Sequence, residues 1–171
     1  MEFNTDKCTV LHMGKNNKAA EYKMGTNKLK VSIQERDLGV IIDKSGKSSE
    51  QCVLAVQKAN SVLGMIKRNI QFKSKQVIVK LNKALVRPRL EFCIQAWSPY
   101  LRKDIDMIER VQKRATKLVD GLKDVNYWDR LEATGLISLE KRRIRGDLIQ
   151  VFKIMKGIDK VDYKKFFKYQ R

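Results

Sequence analysis

Arg110, Lys113, Arg114 and Lys117 lie in a stretch whose apolar residues, Ile105, Ile108, Val111, Ala115 and Leu118, recur at helical intervals. One side of such a helix is apolar and the other cationic. Cations set out this way either stand solvated or neutralise phosphates. Glu109 and Lys113, paired at i,i+4, suit the first use, and the cationic row as a whole suits the second. Other residues with chemistry to offer are few. His12 is the single histidine, set between Leu11 and Met13 without a carboxylate partner in sequence, a poor basis for metal ligation or proton transfer. Cys8, Cys52 and Cys93 are odd in number and widely spaced, which indicates neither a disulfide framework nor a zinc site; Cys52 and Cys93 fall on apolar faces and are expected in the core. Asp104 and Asp106 are two apart on a helix and point to different faces, so capping and solvation suit them better than a shared metal. The chain carries no glycine-rich phosphate loop, nucleophile elbow or metal-ligand cluster. Nothing in it can carry catalysis alone.

The whole composition favours an acidic partner. Lys plus Arg number 37 against 19 Asp plus Glu, giving a net charge of +18 and a pI near 10.0. Nucleic acid is the first candidate, an anionic membrane surface the second and an acidic protein the third. An apolar fraction of 43% with two prolines argues against wholesale disorder. A chain of 171 residues can bury about 68 to 70% of its unfolded surface, enough for a core. No window approaches the run of about 20 apolar residues that spans a bilayer, and the N-terminus lacks a basic segment followed by an apolar run. The expectation is an intracellular protein with no membrane partner.

The elements that would position the cations follow from periodicity. Cys8, Val10 and Leu11 form a short strand-like run; Leu29, Val31 and Ile33 alternate with Lys30, Ser32 and Gln34; a second apolar run covers residues 38–42. These predict a small antiparallel sheet. From Ser48 the period becomes helical: Ser48 with Gln51 reads as a capping box, and Cys52, Val56, Ala59, Leu63 and Ile66 share one side of a helix ending near Arg68. Ser74 caps a second helix with Val77, Ile78, Leu81 and Leu85 inward, running to a bend at Pro88, which disfavours helical geometry at Arg87. Phe92, Cys93, Ile94, Ala96 and Trp97 make a compact apolar block ahead of the basic helix, which Gly121 stops. Asn126 and Gly135 bound a short helix carrying Trp128 and Leu131. Ser138 starts the last helix, with Ile144, Leu148, Phe152 and Met155 as its buried side. Lys141, Arg142, Arg143 and Arg145 crowd its first turns, where the helix dipole disfavours cations, which hints at an external anion. The closing DYKKFFKYQR mixes basic and aromatic residues and suits either base stacking or a severed end. The fold class is α+β, predominantly α-helical.

The phrases FNTDKCTVLHMGKNN, ERDLGVIID, KANSVLGMIKRN, LVRPRLEFCIQAWSPYLRKDIDMIERVQKRATKL and SLEKRRIRGDLIQVFKIMKG, in that order, resemble the back end of reverse transcriptases encoded by non-LTR (LINE-type) retrotransposons. The resemblance covers nearly the whole chain. It implies that residues 1–46 are the end of the palm, 47–122 a thumb-like helical domain that closes over template and primer, and 123–171 the start of a helical C-terminal extension. It further implies that Lys7 lies near the phosphates of an incoming nucleotide, that Asn4 holds the turn there, and that Leu38 and Gly39 sit in a primer-grip hairpin. The family's metal-binding aspartates precede the FNTDKC phrase, so the Mg²⁺ of the parent enzyme would be held by residues this sequence does not include. Asn82 also stands where the family often has an aromatic residue. The chain is accordingly expected to be a truncated copy started at an internal methionine, with no cofactor and no polymerase activity of its own. Two functions remain open: sequence-independent binding of an RNA/DNA or DNA duplex through Lys67, Arg68, Lys73, Lys75, Arg110, Lys113, Arg114, Lys117, Arg142 and Arg143, or an inactive remnant or protein-interaction module. The first requires the cations of several helices to converge on one concave face, whereas the second leaves them scattered.

Overall fold

The computed structural model describes residues 3–167. After a 3₁₀ turn at Thr5–Lys7 come six short strands, β1 (Thr9–Leu11), β2 (Lys23–Met24), β3 (Asn27–Lys28), β4 (Lys30–Ser32), β5 (Gln34–Asp37) and β6 (Val40–Asp43). Seven helices follow: α1 (Ser49–Asn69), α2 (Lys75–Leu81), α3 (Arg87–Glu91), α4 (Ile94–Trp97), α5 (Arg102–Thr116), α6 (Tyr127–Thr134) and α7 (Leu139–Met155). The fold is α+β and mostly helical, as the periodicities indicate. The strands form three two-stranded ribbons rather than one sheet: β2–β3 and β5–β6 are antiparallel, and β1 pairs in parallel with β4, with Thr9 opposite Lys30. Residues 12–29, containing the β2–β3 hairpin, make the crossover that a parallel pair requires.

These ribbons have almost no core. Val40 is their one buried hydrophobe, and Val31 and Ile33, 62% and 70% exposed, turn the apolar side of their alternating stretch to solvent. Cross-links hold the ribbons together: the Thr9 hydroxyl donates to Glu35 at 2.8 Å and the Gly14 N–H to the Lys44 carbonyl at 2.9 Å, while the Lys44 N–H, donating to the Ile33 carbonyl at 3.0 Å, extends the β5–β6 ladder. Val40 reaches the helical core, which also takes in Leu139 of α7, so the core crosses both boundaries drawn at 46/47 and 122/123.

Helix α1 packs chiefly on α5 through the stripe read from sequence, with Cys52, Ala55, Val56, Ala59, Leu63 and Ile66 all buried. Its capping box does not form. Ser48 is itself helical and caps nothing, while the Gln51 side chain accepts the Ile41 N–H at 3.0 Å and ties the β5–β6 hairpin to the helix. Ser49 donates to the buried Asp104 carboxylate at 2.6 Å, so Asp104 bridges two helices rather than facing water. The helix after Ser74 does not end at Pro88. A π-helical segment at Asn82–Val86 joins α2 to α3, Arg87 is helical, and Pro88 sits in the first turn of α3. Ile78, Asn82, Val86 and Leu90 are buried at strict steps of four, which in an α-helix would drift by roughly 120°. The wider π turn, in which the Arg87 N–H reaches the Asn82 carbonyl, absorbs that drift and gives the proline ring room. Val86 therefore takes the inward place expected of Leu85, and Val77 also faces outward. Asn82 is buried with its amide nitrogen unpartnered.

Cys93, expected in the core, is exposed, because it occupies the left-handed hinge (φ +50) between α3 and α4 that swings Ile94 and Trp97 inward. On α7 the buried side is Leu139 and Arg143. The expected stripe is open instead, with Ile144, Leu148 and Phe152 exposed and Met155 half-buried, because α7 docks through its first turns only. Polar groups complete the interior. Glu109, read from sequence as part of a solvated face, and Gln112 are buried among α5, α6 and α7. The Glu109 carboxylate accepts the Tyr127 hydroxyl and, at 3.0 Å, the Leu139 N–H at the start of α7. It makes no ion pair with Lys113, which lies over the Tyr127 ring at 5.1 Å. Burial first, and the bond to Glu109 second, push the Tyr127 phenol well above its ordinary value.

Two outcomes follow from this interior. Replacing Glu109 by alanine strands the Tyr127 hydroxyl, the Leu139 N–H and the neighbouring Arg143, and should lower stability in urea titration by about 3 kcal/mol. Burial, helped by the charge of Asp104, pushes the Cys52 thiol from near 9 up to about 11. A raised thiol favours the neutral folded form. Its contribution is whole below pH 9 and is lost as pH rises towards 11, so Cys52→Ala should flatten the alkaline fall in stability.

Candidate nucleic-acid interface

The C-terminal ends of α1 and α5 meet the α1–α2 loop in a groove of about 840 Å³. Lys67 comes from α1, Lys73 from the loop, Arg114 from α5, and Lys117 and Lys123 from the chain beyond it. Leu63, Leu118 and Val119 supply apolar lining. Helix electrostatics favours the gathering: each helix presents the negative end of its dipole there, with Lys67 and Arg68 in the last turn of α1 and Lys113 and Arg114 in that of α5. Gly121, at φ +79, turns the chain so that Lys123 returns to the same groove. That left-handed conformation is open to glycine at no steric cost because it lacks a Cβ.

One carboxylate shares the groove, and the backbone engages it. Asp120 accepts the Lys73 N–H at 3.1 Å, while the Asp120 N–H donates to the Lys73 carbonyl at 3.0 Å. This two-way clamp fixes the loop against the turn after α5. Among the described residues none of the five cations lies in an ion pair. Five positive charges therefore face solvent across a concave wall with one acid between them.

Of the ten cations singled out by sequence, Lys67, Lys73, Arg114 and Lys117 line this groove. Arg68 lies at its rim, its guanidinium 3.6 Å from where a Cβ on the groove-lining Gly64 would stand. Lys75, Arg110 and Lys113 are exposed outside the lining. Arg142 and Arg143 serve the fold. Arg142 makes a two-pronged pair with Glu91 at 2.6 and 3.1 Å, which raises its already high value. Arg143 is 6% exposed; burial lowers its pKa, and Glu109 and Glu140 oppose the shift. The anion hinted at by basic residues in the first turns of α7 is thus found inside the protein. Lys123 was missed by sequence reasoning, and its one signal is the glycine turn that precedes it.

Lys7 is exposed at the end of the N-terminal 3₁₀ turn, which Asn4 caps by accepting the Asp6 N–H at 3.0 Å. Leu38 and Gly39 form the two-residue turn of the β5–β6 hairpin, both with positive φ, and Leu38 is 87% exposed. His12 lies beside Tyr22, and no carboxylate pairs with it among the described residues. In the closing basic and aromatic stretch Phe166 is exposed, and residues 168–171 lie outside the described residues. A pair of polymerase metal ions needs carboxylates converging on one point. Asp43 is committed elsewhere, accepting from the Ser45 hydroxyl at 2.7 Å and from the Ser45 and Lys47 N–H groups. Burial raises its pKa, and these bonds more than reverse the effect. No three His, Cys, Asp or Glu side chains gather as a metal site among the described residues, so the residues present do not fit such a pair. No helix there is long and apolar enough to cross a membrane.

No family model, curated protein or solved structure matches the chain.

The clamp offers a direct check on how the groove is held. Asp120→Ala should speed hydrogen exchange at the Lys73 amide by about tenfold while leaving amides in the middle of α1 and α5 unchanged.

Proposed function

We propose that this chain is the thumb-like part of a non-LTR (LINE-type) reverse transcriptase and that it grips template and primer nucleic acid without regard to sequence. The observation that carries the reading is the convergence of Lys67, Lys73, Arg114, Lys117 and Lys123 on one groove with no ion-pair partners among the described residues. Helix dipoles account for cations at the ends of α1 and α5 and not for Lys73 and Lys123, which come from the loops. Lysine ammonium groups and the Arg114 guanidinium neutralise phosphates and release condensed counterions, a source of affinity that ignores base identity. The apolar lining from Leu63, Leu118 and Val119 suits the sugar faces of a backbone better than the polar edges of bases. Under the same reading the exposed turn at Leu38 and Gly39 contacts the primer end, and Lys7 lies near phosphate. On this reading the chain's part is to bind template and primer.

Fluorescence anisotropy with a labelled DNA duplex tests the binding. Log affinity should fall linearly with log salt, with a slope of about −4 for four to five phosphates neutralised. Lys67→Glu with Arg114→Glu should reduce affinity more than tenfold and flatten the slope by about two, whereas Lys75→Glu with Arg110→Glu should do much less. A flat slope, or equal losses from the two pairs, contradicts the proposal. Primer extension with Mg²⁺ or Mn²⁺ should stay at background; incorporation abolished by Lys7→Ala would contradict the assignment of catalysis to other residues.

A further inference from the structure

A second groove, of about 450 Å³, runs along the other flank of α1. Leu54, Lys58, Val62 and Met65 recur at steps of four, four and three and share one side of the helix. At about 100° per residue that side lies roughly half a turn from Asn60, Gly64 and Lys67, which face the first groove. The opposite wall comes from Leu85, Pro88 and Phe92 of the π segment and α3, and the β5–β6 turn closes one end. Met65, Leu85 and Phe92 are each more than one-third exposed. Apolar side chains held open in a concave row mark a surface that gains by being covered.

The charged residues that line this row are of one sign. Arg36, Lys58 and Arg89 line the groove and no carboxylate does. Among the described residues none of the three is in an ion pair. Glu91, two residues from Arg89, is engaged by Arg87 and Arg142, and Glu35 and Asp37, which flank Arg36 in the hairpin, lie outside the lining. The lining of α1 extends from Gln51 to Met65, roughly 21 Å at 1.5 Å per residue, or about four helical turns. Three cations spread along a helix-length apolar row, against five gathered at the basic groove, suit an amphipathic helix better than a phosphate backbone. Phe92 closes the end of the row against the hairpin turn, a ring carbon 3.3 Å from where a Cβ on Gly39 would stand.

We infer that this groove docks an acidic amphipathic helix of a partner protein, its apolar side laid between α1 and α3 and its carboxylates meeting Arg36, Lys58 and Arg89. Length, apolar lining and unopposed charge together fit that occupant, and helix-in-groove recognition uses side chains at i, i+3, i+4 and i+7 as anchors. The site is separate from the basic groove and stands whether or not that groove binds nucleic acid.

The test uses the full chain and a fluorescein-labelled synthetic helix of about four turns, with leucines at anchor spacing flanked by glutamates. Two controls replace its leucines by serine or its glutamates by lysine. The chain should bind the acidic leucine peptide and neither control. Lys58→Glu with Arg89→Glu should weaken that binding by about tenfold or more and create binding of the lysine-flanked peptide, because opposite charges then meet again. Leu85→Glu, at an exposed position, should abolish both. Failure of the chain to bind the acidic peptide, or equal binding of it by the charge-reversed variant, overturns the inference. So does a loss of duplex affinity with Lys58→Glu and Arg89→Glu as deep as with Lys67→Glu and Arg114→Glu, which would assign this face to nucleic acid.

Discussion

A 21-residue helix that buries one stripe and leaves two flanks open sets the layout of the chain. Small and mid-sized residues, Cys52, Ala55, Val56 and Ala59, fill that stripe, and side chains of this size let α1 lie close against α5 and the π segment. Each flank then becomes a groove wall. On one side α1 faces the basic end of α5; on the other it faces the apolar edge of the π segment and α3. The β5–β6 hairpin is anchored to the same helix through Gln51 and Val40 and so closes the apolar groove.

The second constraint is the buried polar layer around Glu109. A carboxylate placed inside must be satisfied, and here it receives a phenol and the first amide of a helix. That arrangement fixes α6 and α7 against α5, and Arg130 extends it by donating to the Thr116 hydroxyl at 3.0 Å and to the Val125 carbonyl. The interior of this part is thus defined by directional bonds as much as by hydrocarbon, which is why the remainder of α7, lacking such bonds to the body, leaves its apolar stripe in the open.

Helix starts were largely legible in the residues; ends were less so, since α5 stops at Thr116, five residues before Gly121, and the helix after Ser74 runs on past Pro88. Ser74, Asn126 and Ser138 cap the helices they were expected to cap, and Gly135 ends α6 in a left-handed conformation. Which way a helix faces was less legible. The π segment shifts burial from Leu85 to Val86, a change that periodicity counted at a constant turn cannot register. Glu109 and Gln112 are polar by type and buried by partnership, and the partners lie 18 and 15 residues away at Tyr127. Likewise Arg142 and Arg143 read as surface cations until Glu91, 51 residues before Arg142, appears beside the first and Glu109 near the second. Four of the ten cations named from sequence converge in the groove because their helices were placed correctly, and Lys123 joined them through a turn whose path depends on Gly121 and the Asp120 clamp.

The central claim is that the groove between the ends of α1 and α5 holds a nucleic-acid backbone. Lysine protection measures it most directly: acetylation of the full chain with and without a saturating DNA duplex, mapped by mass spectrometry. The account predicts strong protection of Lys67, Lys73, Lys117 and Lys123, with Lys75 and Lys113 modified almost as fast as in the free protein. Uniform protection of all lysines, or protection centred on lysines outside the groove, would contradict it.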